Sequence, residues 1–239
     1  MSETTHGHGH AGGQGHARSV PARRRRRPLL SRAALRPPVK RGFDAAAAAL
    51  LLVVAAPVFL ALVLAVRADG GPAFFAHRRV GRAGRAFGCL KFRTMRADAE
   101  RALADLLARD PAARAEWEGA RKLRRDPRAT RSGRFLRASS LDELPQLLNV
   151  LRGEMSLVGP RPVTRDELER FYAPLGGEAA YLSVRPGLTG PWQVGGRSDS
   201  GFAERVALDV AYVERPSLRA DAAILLRTPG AVLRGRGAC

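Results

Sequence analysis

From Phe43 to Val66 the chain runs through apolar and small residues, with Asp44 at the start as the one charge. That length exceeds the roughly 20 residues a helix needs to cross the hydrocarbon core of a bilayer. A buried helix of a soluble domain is the alternative, though one apolar on every face for this long is unusual. Pro57, near the centre, removes a backbone hydrogen bond and bends a helix. Basic residues crowd both flanks: Arg23 to Arg27, Lys40 and Arg41 before the segment, and Arg67, Arg78, Arg79 and Arg82 after it. Positive flanks stay on the cytoplasmic side, which assigns both ends there. A helix bent at Ala56–Pro57, entering and leaving by one leaflet, satisfies both observations. A straight span would place one basic flank outside. A bent, re-entrant helix over residues 39–67 is favoured over a straight span.

Residues 1–38 precede it. They combine a Gly/His-rich start with an uninterrupted arginine block, a composition that cannot build a core and predicts a disordered basic tail. His6, His8 and His10 alternate with glycine and read better as a flexible tail than as a metal site. Residues 68–239 remain for one domain of ordinary size. Short strand-like pieces at Pro72–Phe75 and Gly88–Phe92 flank a turn at Gly81–Gly84. Helical patterns follow at Ala97–Arg121, broken at Asp110–Pro111, and at Leu141–Leu151, Thr164–Tyr172 and Phe202–Val213. The last, Ser217–Leu233, is interrupted near Pro229. The fold class is α+β and helix-rich, anchored to a membrane by one element.

The formal net charge is +19, carried almost wholly by arginine. Such a balance points to an anionic partner: nucleic acid, anionic lipid headgroups or a phosphorylated substrate. Arginine grips phosphate bidentately. A nucleic-acid binder is the poorer choice, because aromatic residues for base stacking make up only 6% of the chain. Neither a P-loop nor a zinc spacing is present. His77 is the one histidine outside the tail, which argues against histidine acid–base chemistry. Cys89 and Cys239 suggest no disulfide framework.

The densest chemistry lies in Ser139-Ser140-Leu141-Asp142-Glu143-Leu144-Pro145-Gln146. Ser140 and Glu143 have the spacing of a capping box, and acidic residues in a first helical turn suit the dipole. Yet Arg131, Arg134 and Arg137 precede the pair and Arg161 follows it, which makes a ready anion site. A carboxylate there stays ionised and can attack phosphorus or hold Mg²⁺ with a diphosphate. Adjacent helical residues point about 100° apart, so the two carboxylates cannot be equivalent. Asp142, uncommitted to the box, is the better nucleophile. Pro160 and Pro162 stiffen the loop carrying Arg161 toward a phosphate. Lys91 and Arg93 place two cations on one face of a possible strand.

These segments resemble the bacterial sugar transferase family, the monotopic phosphoglycosyl transferases. The resemblance rests on Lys40-Arg41-x-x-Asp44 leading into the apolar run, Lys91-Phe92-Arg93-Thr94-Met95, Ser140 to Leu147, and Met155 to Pro162. Arg185-Pro186-Gly187-Leu188-Thr189-Gly190 and Trp192-Gln193-Val194-x-Gly196-Arg197 complete it, in order over residues 39–239. It implies a re-entrant helix-break-helix in the bacterial inner membrane, with Lys40, Arg41, Asp44 and Pro57 as the membrane anchor, and a catalytic domain facing the cytoplasm. It implies transfer of a sugar 1-phosphate from a UDP-sugar to undecaprenyl phosphate through an aspartyl-phosphosugar intermediate. Exopolysaccharide or another surface glycan would be the product pathway. Asp142 matches the nucleophile and Glu143 its partner carboxylate, the two being also the residues for Mg²⁺. Arg137 and Arg161 match phosphate-binding arginines, with Lys91 and Arg93 assigned to the same task. Larger relatives carry further spans and a cytoplasmic domain that this chain is expected to lack, and Ala56 stands where a serine is common before the proline. The tail is expected to meet anionic inner-leaflet lipid. The sugar is not legible in these motifs, and a homodimer stays an option.

Overall fold

The computed structural model describes residues 37–96, 98–120, 123, 126–195 and 201–233. The tail up to residue 36 and the Gly196-Arg197 pair therefore lie outside the described residues. Alanine, leucine and valine build one helix, α1, over Pro37–Ala68, 32 residues long. Pro57 lies inside α1, and no break divides it into two helices. The helix-break-helix expectation is thus corrected to a single helix with an internal proline. Proline costs one backbone bond, and the rest of the ladder carries the helix past it.

A stripe along the whole of α1 meets the domain. Asp44, Ala48 and Val66 are buried, and Leu52, Phe59, Leu62 and Val63 are partly so. These positions recur every three or four residues, the period of one helix face. Leu50, Val53, Val54, Leu60 and Leu64 stay exposed. The first half of the stripe packs on a core of Leu147, Val150, Met155 and Leu157. The second half packs on Ala73, Phe92 and Leu136. Phe59 sits 5.2 Å from Phe92 and 5.9 Å from Phe74, ring centre to ring centre.

Strands β1 (Phe74–Val80) and β2 (Ala86–Phe92) form an antiparallel hairpin in register from Phe74↔Phe92 to Val80↔Ala86. Ala83 and Gly84 turn it with φ of 57° and 76°. Helices α2 (Ala99–Arg109) and α3 (Pro111–Ala120) follow, parted at Asp110–Pro111 as the sequence predicts. Next come α4 (Arg131–Ala138) and a single 3₁₀ turn, Leu141–Glu143. Helix α5 (Gln146–Arg152) leads to β3 (Ser156–Val158). Then α6 (Arg165–Glu167) widens into a π-type turn over Leu168–Tyr172, and α7 (Glu178–Ser183) precedes β4 (Gly187–Thr189). Helices α8 (Pro191–Gly195), α9 (Phe202–Glu214) and α10 (Leu218–Leu233) close the described chain. Pro229 lies inside α10, so the expected interruption does not occur.

The parallel pairing of β3 with β4, Ser156↔Gly187 and Val158↔Thr189, was not legible beforehand because each strand is three residues long. It depends on close backbone approach: a Cβ on Gly187 would fall 2.1 Å from the Gly159 nitrogen.

Candidate active site

Asp142 and Glu143 lie on the 3₁₀ turn between α4 and α5, and the expected capping box is absent. The Ser139 hydroxyl donates to the Phe135 and Leu136 carbonyls, and the Ser140 amide donates to Arg137 O at 3.1 Å. Those bonds end α4 and leave Ser140 in the left-handed region, φ 57°, where it makes no side-chain cap. The reciprocal box forms instead at Thr164 and Glu167, at the start of α6.

Asn149 of α5 holds this turn against β2. Its Oδ1 accepts from Leu90 N at 2.9 Å and its Nδ2 donates to Gly88 O at 2.8 Å. One residue further along β2, Lys91 Nζ reaches Asp142 Oδ2 at 3.1 Å and Glu143 Oε1 at 2.8 Å. Arg161 Nη2 reaches the same Glu143 oxygen at 3.1 Å. The Arg161 loop is clamped by β4, since Gly159 N donates to Thr189 O and Gly187 N to Pro160 O.

The other expected cations divide. Arg137 Nε donates to Thr94 Oγ1 at 2.9 Å, and its charge acts on Asp142. Arg134 turns back to Ala129 O, and Arg131 is exposed. Arg93 is buried and donates to Val66 O at 3.1 Å, so its guanidinium serves the end of α1 and not the acidic pair. Lys40, Arg41 and Asp44 grip the domain. Lys40 pairs with Asp221 at 2.6 Å, and Arg41 donates to the Val150 and Leu151 carbonyls that end α5. Asp44 accepts from Ser156 Oγ at 2.7 Å and from Leu157 N. Pro57 is exposed in mid-helix.

The two carboxylates are electrostatically unlike. Burial raises Asp142, helped by the neighbouring Glu143 charge, against the pull of Lys91 and Arg137. Burial would raise Glu143 too, but Arg161 and Lys91 outweigh it and hold this carboxyl at about 2. Burial works against the Lys91 ammonium, yet Glu143 and Asp142 lift it above its ordinary value. Of the cations near the pair, Arg161 acts on Glu143, Arg137 on Asp142, and Lys91 on both. Two acids pushed apart in this way can take different roles.

The profile of the bacterial sugar transferase family matches residues 35–235. The chain belongs to that family. It is 50% identical over 200 residues to an undecaprenyl-phosphate galactose phosphotransferase of Salmonella typhimurium, covering 84% of this chain and 41% of that protein. It is also 50% identical over 199 residues to the exopolysaccharide production protein ExoY of Sinorhizobium fredii, covering 83% of this chain and 87% of that protein. A UDP-glucose:undecaprenyl-phosphate glucose-1-phosphate transferase of Caulobacter vibrioides is 42% identical over 200 residues, covering 81% of this chain and 69% of that protein. The match spans about two fifths of the Salmonella protein's length, so its activity is not carried over whole.

Sequence reasoning assigned no role to several residues at this site. Thr94, which fixes Arg137, carries no charge to betray it. Arg205 and Trp192 come close to Arg161 only through the fold: Arg205 Nη2 donates to Arg161 O at 3.2 Å, and both guanidinium groups lie over the Trp192 ring.

Proposed function

We propose that this protein moves a sugar 1-phosphate from a nucleotide sugar, a UDP-sugar by family resemblance, onto undecaprenyl phosphate, as a committed step of surface-glycan synthesis. The observation that carries the reading is the acidic pair bridged by Lys91, on a domain that packs against a membrane-length helix. An Asp142 carboxylate oxygen attacks the phosphorus next to the sugar. The bond from that phosphorus to the bridging oxygen breaks, and the nucleoside monophosphate leaves with the electron pair. The phosphosugar is then an acyl phosphate on Asp142, and an oxygen of the polyprenyl phosphate displaces the carboxylate. Lys91 and Arg161 offset charge that builds on the phosphoryl oxygens, and Arg137 adds to the field at Asp142. Glu143, held ionised, keeps Lys91 and Arg161 in place.

Mg²⁺ suits the donor set. It takes one or two carboxylates and completes its shell with water and substrate phosphates. The hydrogen bonds from Lys91 and Arg161 go to Oδ2 of Asp142 and Oε1 of Glu143 and do not use the second oxygen of either carboxylate. Asp142 and Glu143 would hold the ion, which supplies charge neutralisation on the diphosphate.

The membrane reading follows from α1. Its start contacts Ser156 and Asp221 and its end contacts Phe92 and Arg93, all in the one catalytic domain. A straight span would put those ends on opposite sides of the bilayer. The contacts support a helix that lies in the cytoplasmic leaflet with Leu50, Val53, Val54, Leu60 and Leu64 toward lipid.

The deciding experiment measures nucleoside monophosphate release from a panel of UDP-sugars by membrane-embedded protein with Mg²⁺ and undecaprenyl phosphate. Release with at least one donor, lost in Asp142→Asn, is expected. Release that persists in Asp142→Asn would remove Asp142 as nucleophile. Absence of release from every donor, beside an active control enzyme, would overturn the reaction.

A further inference from the structure

A second buried cation stands behind Arg161. Arg205 on α9 is 6% exposed, and its guanidinium carbon lies 4.9 Å from the Trp192 ring centre, 5.5 Å from Phe202 and 5.9 Å from Tyr172. Three aromatic rings so placed suit a cation removed from water. Arg205 forms no ion pair among the described residues. Asp209, one helical turn on, interacts with it electrostatically but takes its close hydrogen bond from Tyr172 Oη at 2.6 Å. Arg205 Nη2 donates to the backbone carbonyl of Arg161 at 3.2 Å, and Nε has no partner among the described residues. Arg161 lies 6.0 Å from the centre of the same Trp192 ring, and its own guanidinium holds Glu143.

A desolvated arginine is costly to bury and is better replaced by an apolar side chain where only packing is needed. Here it ties Arg161, the arginine of a proline-stiffened loop that pairs with Glu143, to α9. We infer that Arg205 is a positioning residue for the transfer reaction, fixing Arg161 through its carbonyl and through the indole of Trp192 that the two cations share. The inference deepens the phosphoglycosyl reading and rests on it for its kinetic consequence, though not for the contact itself.

The test compares Arg205→Met and Arg205→Lys with the unaltered protein in nanodiscs, by donor KM and kcat for nucleoside monophosphate release and by thermal stability. Arg205→Met is expected to raise donor KM about tenfold, the scale on which contacting residues couple. Arg205→Lys, keeping the charge and losing the planar fork, should recover part of that loss. A merely structural Arg205 would lower thermal stability in both variants and leave KM alone, and that result overturns the inference. A readout independent of turnover uses Trp117→Phe, which leaves Trp192 as the single tryptophan. In that background Arg161→Met should change Trp192 emission strongly when Arg205 is present and weakly in Arg205→Met. Additive effects of the two substitutions would overturn the coupling even if no donor is turned over. No turnover in the unaltered protein, with a non-additive emission cycle, would retire the reaction and keep the contact.

Discussion

Two neighbouring carboxylates share one lysine, and their fates differ because of what else reaches them. Glu143 has Arg161 as well, and it sits at about 2 where an ordinary glutamate sits at 4.5. A carboxyl with a depressed folded value adds stability that is fully present above the unfolded value. That stability is lost as pH falls from about 4.5 toward 2. Glu143→Gln should therefore flatten the acid side of the melting-temperature profile over that window. Lys91→Met leaves the acidic pair facing itself. Turnover should fall about 100-fold or more, the scale of losing one preorganised charge partner in a reaction centre. The check is single-turnover phosphosugar capture on Asp142, and near-normal capture would remove Lys91 from the chemistry.

Among the elements, α4 and α1 are the most exposed to single changes. Gly133 of α4 lies so close to the chain before it that an added Cβ would sit 2.1 Å from Thr94 O. Gly133→Ala must push α4 off that segment and break the Arg137–Thr94 bond, so both melting temperature and turnover should fall. Retention of both would mean that α4 shifts freely. On α1, Asp44 accepts from the Ser156 hydroxyl, which also donates to Val158 O, and it takes the Leu157 amide. Asp44→Ala strands the buried Leu157 amide and leaves the Ser156 hydroxyl to Val158 O, at a cost of about 1–3 kcal/mol. It should loosen the start of α1 without touching the dyad, a change that hydrogen exchange at β3 would detect.

For the molecule as a whole, the placement of α1 decides topology. Cysteines introduced at Gly42 and Arg67 mark its two flanks. In spheroplasts, a membrane-impermeant maleimide added from outside should label neither, and labelling of one flank alone would establish a full span. Away from the membrane, burial lifts the Asp209 carboxyl to about 6. The folded state holds that proton longer than the unfolded chain does. Its contribution to stability is therefore fully present below about pH 4 and is lost as pH rises through 6. Asp209→Asn should remove that decline, read as a difference between the two melting profiles from pH 4 to 7.

Local chemistry alone wrote the apolar length of α1, the hairpin turn and the break at Asp110–Pro111, though not the passage of α1 through Pro57. Apolar length, alternation and proline act over a few residues and need no partner. The acidic pair was legible for the same reason, and its family motifs are contiguous. Ser140 to Glu143 and Thr164 to Glu167 show where such reading stops. Both have capping-box spacing, yet only the second caps, because α4 ends on Ser139 and spends Ser140 on reversing the chain. The tertiary structure decided which cation meets which carboxylate. Lys91 comes from 51 residues before Asp142 and Arg161 from 18 residues after Glu143, while Arg93, two residues from Lys91, goes to α1 instead. Electrostatic partnership depends on distance in space and on burial, and neither is a property of sequence spacing. The same holds for Arg205, whose charge looks like any other in this arginine-rich chain until the fold seals it among three rings.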